Sequence, residues 1–190
     1  PAFLPSRPAA ARREAGAVTI RAGDSGVEFK KLDGKDIRVG IVYARWNAAI
    51  VDPLVAGAKK GLAECGVKEE NIVTISVPGC YELPYSAQLI CMTQKVDAVI
   101  CAGVLIKGET SHYEYIAEAV SKGIMDVQLL TRTPVIFGVL TCLSEEQAVA
   151  RSTGAKNHSE AWGKTAVEMA LFRKSQFEGK NPEKKSVGFL

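Results

Sequence analysis

The nine residues Ala98-Val99-Ile100-Cys101-Ala102-Gly103-Val104-Leu105-Ile106 contain no charged side chain and no strongly polar one. A short apolar run that stops at Lys107-Gly108-Glu109-Thr110-Ser111-His112 reads as a β-strand covered on both faces. Three further runs share this character: residues 37–44 (IRVGIVYA), 71–77 (NIVTISV) and 135–140 (VIFGVL). Helical stretches separate them, at about 52–65 with Pro53 in its first turn and Gly66 at its end, at 82–95, and from near Thr110 onward. In the last of these, Tyr113, Ile116, Val120, Ile124 and Val127 recur three and four apart and make one helix face. Two helices, near 144–152 and 160–177, complete the pattern. Alternation of strand and helix predicts a parallel sheet between two helical layers, a three-layer αβα sandwich around four strands. Residues 27–32 (VEFKKL) are expected as an extra edge strand, of this sheet or of a neighbouring subunit's.

With 190 residues, the chain holds one core. Residues 1–24, rich in Pro, Ala and Arg, read as a flexible arm; 25–179 form one α/β domain; 180–190 form a loose, Lys-rich tail. The arm is Arg-rich and acid-poor, as transit peptides are, and lacks the apolar stretch of a secretory signal. No apolar run approaches the ~20 residues that span a bilayer, so no membrane role is expected. A net charge of +3 and 7% aromatics give no footing for nucleic acid. The five cysteines, Cys65, Cys80, Cys91, Cys101 and Cys142, contain no C-x-x-C, and only His112 and His158 are present to join them. Reduced thiols in a cytoplasmic setting, without a metal site or disulfide framework, are therefore expected.

Ligands of open parallel sheets bind outside the carboxyl ends of the strands. The segments following the four strands are Arg45-Trp46-Asn47, Pro78-Gly79-Cys80-Tyr81-Glu82-Leu83-Pro84, residues 107–112, and Thr141-Cys142 with Arg151 one helix later. Trp46 either stacks on a planar heterocycle or packs on the helix after it. Glu82 either accepts hydrogen bonds from ligand hydroxyls or favours the helix dipole. The turn at 108–112 offers backbone N–H groups to an anion at a helix start, unless Ser111 and Glu114 form a capping box there. It is not a Walker loop, since Glu109 stands where lysine is required, and no G-x-G-x-x-G occurs. His112 suits proton transfer near neutrality, and a surface or capping role fits it as well; the planar fork of Arg151 suits phosphate, although a lone helix-end arginine is more often simply solvated. Taken together these groups fit a pair of ligands, one a heterocycle and one a phosphate.

Three segments carry a family resemblance: Arg45-Trp46-Asn47, the stretch VPGCYELP at 77–84, and GVLIKGETSHY at 103–113. They resemble the R-[FW]-N, V-P-G-[AS]-[FWY]-E-[IL]-P and G-x-[VL]-I-[RK]-G-x-T-x-H-[YF] motifs of the 6,7-dimethyl-8-ribityllumazine synthases, and the likeness runs from about 37 to 172. The resemblance implies a flavodoxin-like fold and a cofactor-free, metal-free transferase that performs the penultimate step of riboflavin biosynthesis. It condenses 5-amino-6-(D-ribitylamino)uracil with 3,4-dihydroxy-2-butanone 4-phosphate. By the same resemblance Trp46 stacks on the pyrimidine, and Cys80, Tyr81 and Glu82 line the ribityl chain. Val104, Leu105 and Ile106 present backbone groups to the ring. Glu109 and Thr110 offer N–H donors to the phosphate, Arg151 holds it, and His112 moves the proton. Phe137 completes the site from a neighbouring subunit, which implies an obligate homo-oligomer.

Two departures stand out. Many members carry Phe in place of Trp46, and either ring stacks. Many carry G-x-K-x-x-N-K-G after the arginine, whereas this chain has Gly154-Ala155-Lys156-Asn157-His158-Ser159, lacking the second lysine and second glycine. His158 is then an alternative cationic contact that the resemblance does not assign. With the long arm, this altered loop favours a pentamer over a sixty-subunit shell. Two rival readings are a flavin-holding module without catalysis and a scaffold that only assembles. Against the first, Ala44-Arg45-Trp46-Asn47-Ala48 lacks the Ser/Thr/Gly-rich phosphate loop such a module needs. Against the second, Glu82, Thr110, His112 and Arg151 stand together in one chain.

Overall fold

The computed structural model describes residues 28–153 and 156–178. The proposed arm and tail lie outside them. Four strands, β1 (Val39–Ala44), β2 (Ile72–Val77), β3 (Ala98–Ile106) and β4 (Val135–Cys142), form one all-parallel sheet in the order β2-β1-β3-β4. The helices are α1 (Ala48–Glu64), α2 (Leu83–Thr93), α3 (His112–Thr131), α4 (Glu145–Ser152) and α5 (Ser159–Glu178). This is the flavodoxin-like α/β arrangement.

Strand alternation sends side chains to two cores. On one face Val42, Val99 and Cys101 pack with Leu83, Ala87 and Ile90 of α2 and Val120, Ile124 and Val127 of α3. On the other, Val39, Ile41, Ala98 and Ile100 meet Ala58 and Leu62 of α1 and Ala166, Val167 and Ala170 of α5. The predicted face of α3 is therefore buried where its spacing placed it, with Ile116 half-buried against the same core. Around α1 and α5, Lys60 and Lys164 bond the Glu160 carboxylate and hold it down at about 2.

Three differences from the sequence reading have a visible physical cause. Helix α1 starts at Ala48 rather than near 52, because Asn47 takes a left-handed conformation (φ 61°, ψ 44°) and its carbonyl accepts the N–H of Ile50 and Val51. Pro53 therefore lies inside the helix, where it has no N–H to give. Strand β1 starts at Val39, since Arg38 is engaged by Asp97: its N–H donates to Asp97 Oδ2 (2.8 Å) and its carbonyl accepts from the Asp97 N–H (2.7 Å). Residues 28–32, expected at a sheet edge, take no place in this chain's own sheet. Leu32 packs instead against the α1–α5 core.

Helices α1 and α5 approach closely enough that backbone faces backbone. A Cβ at Gly61 would fall 2.0 Å from the Glu160 carbonyl oxygen, and one at Gly163 would fall 2.4 Å from that of Ala58. Neither neighbour can move without shifting a helix. Gly61→Ala is expected to cost about 1–3 kcal/mol of stability through overpacking, read as a lower midpoint in urea unfolding. An unchanged midpoint would show that the two helices are not held this tightly.

Candidate functional site

Strand β1 pairs with β2 on one side and β3 on the other, so the chain order reverses between β1 and β3. Helices consequently leave opposite faces there, and a crevice opens at the carboxyl ends. Pairing of β1 with β3 ends at Tyr43–Ala102, yet β3 continues to Ile106 against β4. From Gly103 onward the β1-side edge of β3 thus has no strand partner. A cavity of about 820 Å³ lies at this place, within the size range of small-molecule sites.

The loop after β1 builds one wall. The N–H groups of Arg45 and Trp46 donate to the carbonyls of Val77 and Pro78 (2.8 and 3.1 Å), which carries the β1–β2 pairing past the strand ends. The left-handed turn at Asn47 then leaves Trp46 74% exposed on the rim. The indole is thus not buried against the following helix in this chain.

The second wall is a single 3-10 turn, Cys80–Glu82, leading into α2. Glu82 is half-buried, and its Oε2 accepts the Gly79 N–H at 2.9 Å. This bond closes the turn from Gly79 to Glu82, while Oε1 has no partner among the described residues. Tyr81 is exposed at the rim. Cys80 points inward, with its thiol donating to the Val104 carbonyl (3.5 Å), and burial pushes that thiol up to about 11. It is neutral near pH 7 and shapes the wall rather than acting as a nucleophile.

The floor is β3, with Val104 buried and Leu105 and Ile106 half-buried. Beyond it, the Lys107 N–H donates to the Cys142 carbonyl (2.9 Å) and fixes the start of the turn. Ser111 makes no side-chain cap, and Glu114 pairs with Lys107 instead, so the capping box does not form. Thr110 Oγ1 accepts the His112 N–H at 3.4 Å. His112 opens α3, exposed and facing the cavity.

Nine expected residues therefore line one cavity: Trp46, Cys80, Tyr81, Glu82, Val104, Leu105, Ile106, Thr110 and His112. Glu109 is exposed between two lining residues but is not itself part of the wall. Phe137 and Arg151 lie elsewhere. Phe137 is the third residue of edge strand β4, paired in register with Cys101 and 42% exposed. Arg151 is exposed on α4, donating to the Gln147 carbonyl at 3.1 Å. Asn47, Tyr113 and Ile116 also line the cavity. Asn47 and Tyr113 stood within the segments singled out above without an assigned role, and Ile116 was legible only as a helix-face residue, although it lies four residues from His112 on adjoining turns of one helix. Among the described residues, no three His, Cys, Asp or Glu side chains gather to hold a metal ion.

A family model described as 6,7-dimethyl-8-ribityllumazine synthase matches residues 36–174. Proteins of that name share 44% identity in Pyricularia oryzae and 48% in Schizosaccharomyces pombe, over 78% and 79% of this chain and 94% and 96% of those relatives. One from Aquifex aeolicus is 43% identical over 76% of this chain and 95% of its own length.

Proposed function

Since the chain belongs to the 6,7-dimethyl-8-ribityllumazine synthase family, we propose that the crevice at β1 and β3 is where it condenses 5-amino-6-(D-ribitylamino)uracil with 3,4-dihydroxy-2-butanone 4-phosphate. The product is 6,7-dimethyl-8-ribityllumazine, with release of phosphate and water. The observation that carries this reading is that Trp46, Glu82, Thr110 and His112 line one cavity from its different sides.

The pyrimidine ring stacks on the Trp46 indole, with its edge toward the unpaired edge of β3 at Val104, Leu105 and Ile106. The ribityl chain runs past Cys80 and Tyr81 to the free oxygen of Glu82. The phosphate rests on the backbone N–H groups at Glu109 and Thr110, where the start of α3 favours an anion. Held this way, the ring amine meets the ketone and forms an imine with loss of water. Phosphate then leaves, and the second nitrogen closes the ring with loss of water. Holding two reactants in register is worth up to roughly 7–11 kcal/mol. The His112 imidazole takes and returns the protons these steps displace, adding about 10²–10⁴-fold.

A second copy of the chain completes the site by supplying Phe137 and Arg151. In support, neither residue lines its own chain's cavity. The lower end of β4 is flanked by a groove that Leu129, Phe172 and Phe177 line, each more than half exposed, an apolar surface that favours association. Residues 28–32, unpaired in their own chain, then add to a neighbour's sheet edge. The altered loop at 154–159 favours five copies. The five unpaired thiols support a reducing, cytoplasmic compartment.

Wild-type protein mixed with both substrates should develop lumazine fluorescence. His112→Ala should slow turnover by about 10²-fold or more, and Arg151→Ala should raise KM for the phosphate substrate. If the site is shared, co-assembled His112→Ala and Arg151→Ala chains regain activity that neither has alone, because some interfaces carry both intact residues. No recovery on mixing would place Arg151 outside the site. Light scattering should read about five masses of 20.4 kDa; a mass of one chain or of sixty would refute the pentamer.

A further inference from the structure

The turn at 107–114 carries three charges that the condensation itself does not use. Lys107 directly follows β3 and Glu114 lies in the first turn of α3, and the two form an ion pair across the turn. Glu109 lies between them, exposed and unpaired among the described residues. Neither Lys107 nor Glu114 lines the cavity, although Gly108, Thr110 and His112 do. The Lys107 ammonium is thus turned away from the site, toward the carboxylate, while its backbone is tied to Cys142.

Such a pair adds little to stability, because both side chains are about half exposed (47% and 48%). Its electrostatic position matters more. A carboxylate in the first turn competes with an incoming phosphate for the positive field of the helix start. Glu114 follows Thr110 by four residues, and charges closer than a Debye length, about 8 Å at physiological salt, are only partly screened. The Glu114 carboxyl is held below its usual range by the hydrogen bond from Lys107, and the Lys107 ammonium is held above its own by the same bond. Both therefore stay charged together.

We propose that Lys107 is a positioning residue of the phosphate turn, acting through Glu114: it neutralises and holds aside the carboxylate that would otherwise oppose a phosphate at residues 108–112. The inference rests on the phosphate reading of this turn given above. It assigns Lys107 no contact with substrate. The carboxylate supports the start of α3 when no ligand is bound, and the ammonium keeps it from excluding one.

Steady-state kinetics on four full-length proteins tests this: wild type, Lys107→Met, Glu114→Gln and the double variant. Lys107→Met should raise KM for the phosphate substrate about two- to fivefold, the scale of one charge at a helix start. KM for the pyrimidine should stay unchanged, and the rise should shrink at high salt. Glu114→Gln should lower KM for the phosphate substrate, and the double variant should return close to wild type. The Ki of inorganic phosphate should follow the same order. If the double variant is as weak as Lys107→Met, the ammonium contacts phosphate directly or acts as a strut, and the proposal fails. It fails equally if Glu114→Gln raises KM, or if both substrates' KM values move together. A wild-type protein that makes no lumazine would overturn the proposed reaction instead, and inorganic phosphate binding by the four proteins would still decide the role of Lys107.

Discussion

Parallel pairing of β1 with two partners is the constraint from which the site follows. The ladder to β2 runs the full length of β1, and the ladder to β3 stops at Tyr43–Ala102. The last four residues of β3 are therefore held only from the β4 side. That overhang leaves backbone at the mouth of the crevice without a strand partner; the Cys80 thiol reaches the Val104 carbonyl, and the remaining groups are open to a ligand edge or water. Each wall then hangs from a strand end: Trp46 from β1, Cys80 to Glu82 from β2, and Thr110 and His112 from β3. Disturbing the order of the strands would scatter these groups over different faces.

The two helical layers have different tasks. Helices α1 and α5 meet through Gly61 and Gly163 at backbone distance and carry a charged network around Glu160, which makes that layer stiff. Helices α2 and α3 bring their starts to the cavity. The first follows a turn whose Glu82 carboxylate bonds Gly79; at the second, Thr110 Oγ1 accepts the His112 N–H and Ser111 adds no cap of its own. Backbone N–H groups left free at a helix start that faces a cavity are a place for an anion.

The order of strands and helices was legible because buried parallel strands are continuous apolar runs, and β3 is the longest of them. The face of α3 was legible from its spacing. The start of α1 was not, because an asparagine in the left-handed region replaces the usual side-chain cap and leaves no pattern to read. Residues 28–32 have the composition of a strand, but pairing depends on what lies beside them, and composition does not record that. At the site, Trp46, Glu82 and His112 were legible as chemically distinctive residues at strand ends. Asn47 and Tyr113 fell within the segments singled out there but carried no role of their own, and Ile116 showed only as a helix-face residue, because helix phase alone brings it to the cavity. Phe137 and Arg151 were legible only by resemblance, and in a single chain they stand apart from the cavity.

The central claim is that one crevice holds both reactants, with the indole of Trp46 against the ring and the amides of 108–112 against the phosphate. A crystal structure of the assembled protein with the lumazine product and inorganic phosphate tests it most directly. The account predicts the product ring stacked on Trp46, its ribityl hydroxyls on Glu82, and the phosphate within hydrogen-bond reach of the Thr110 N–H and close to His112. A product bound at another surface, or phosphate found far from His112, would contradict it.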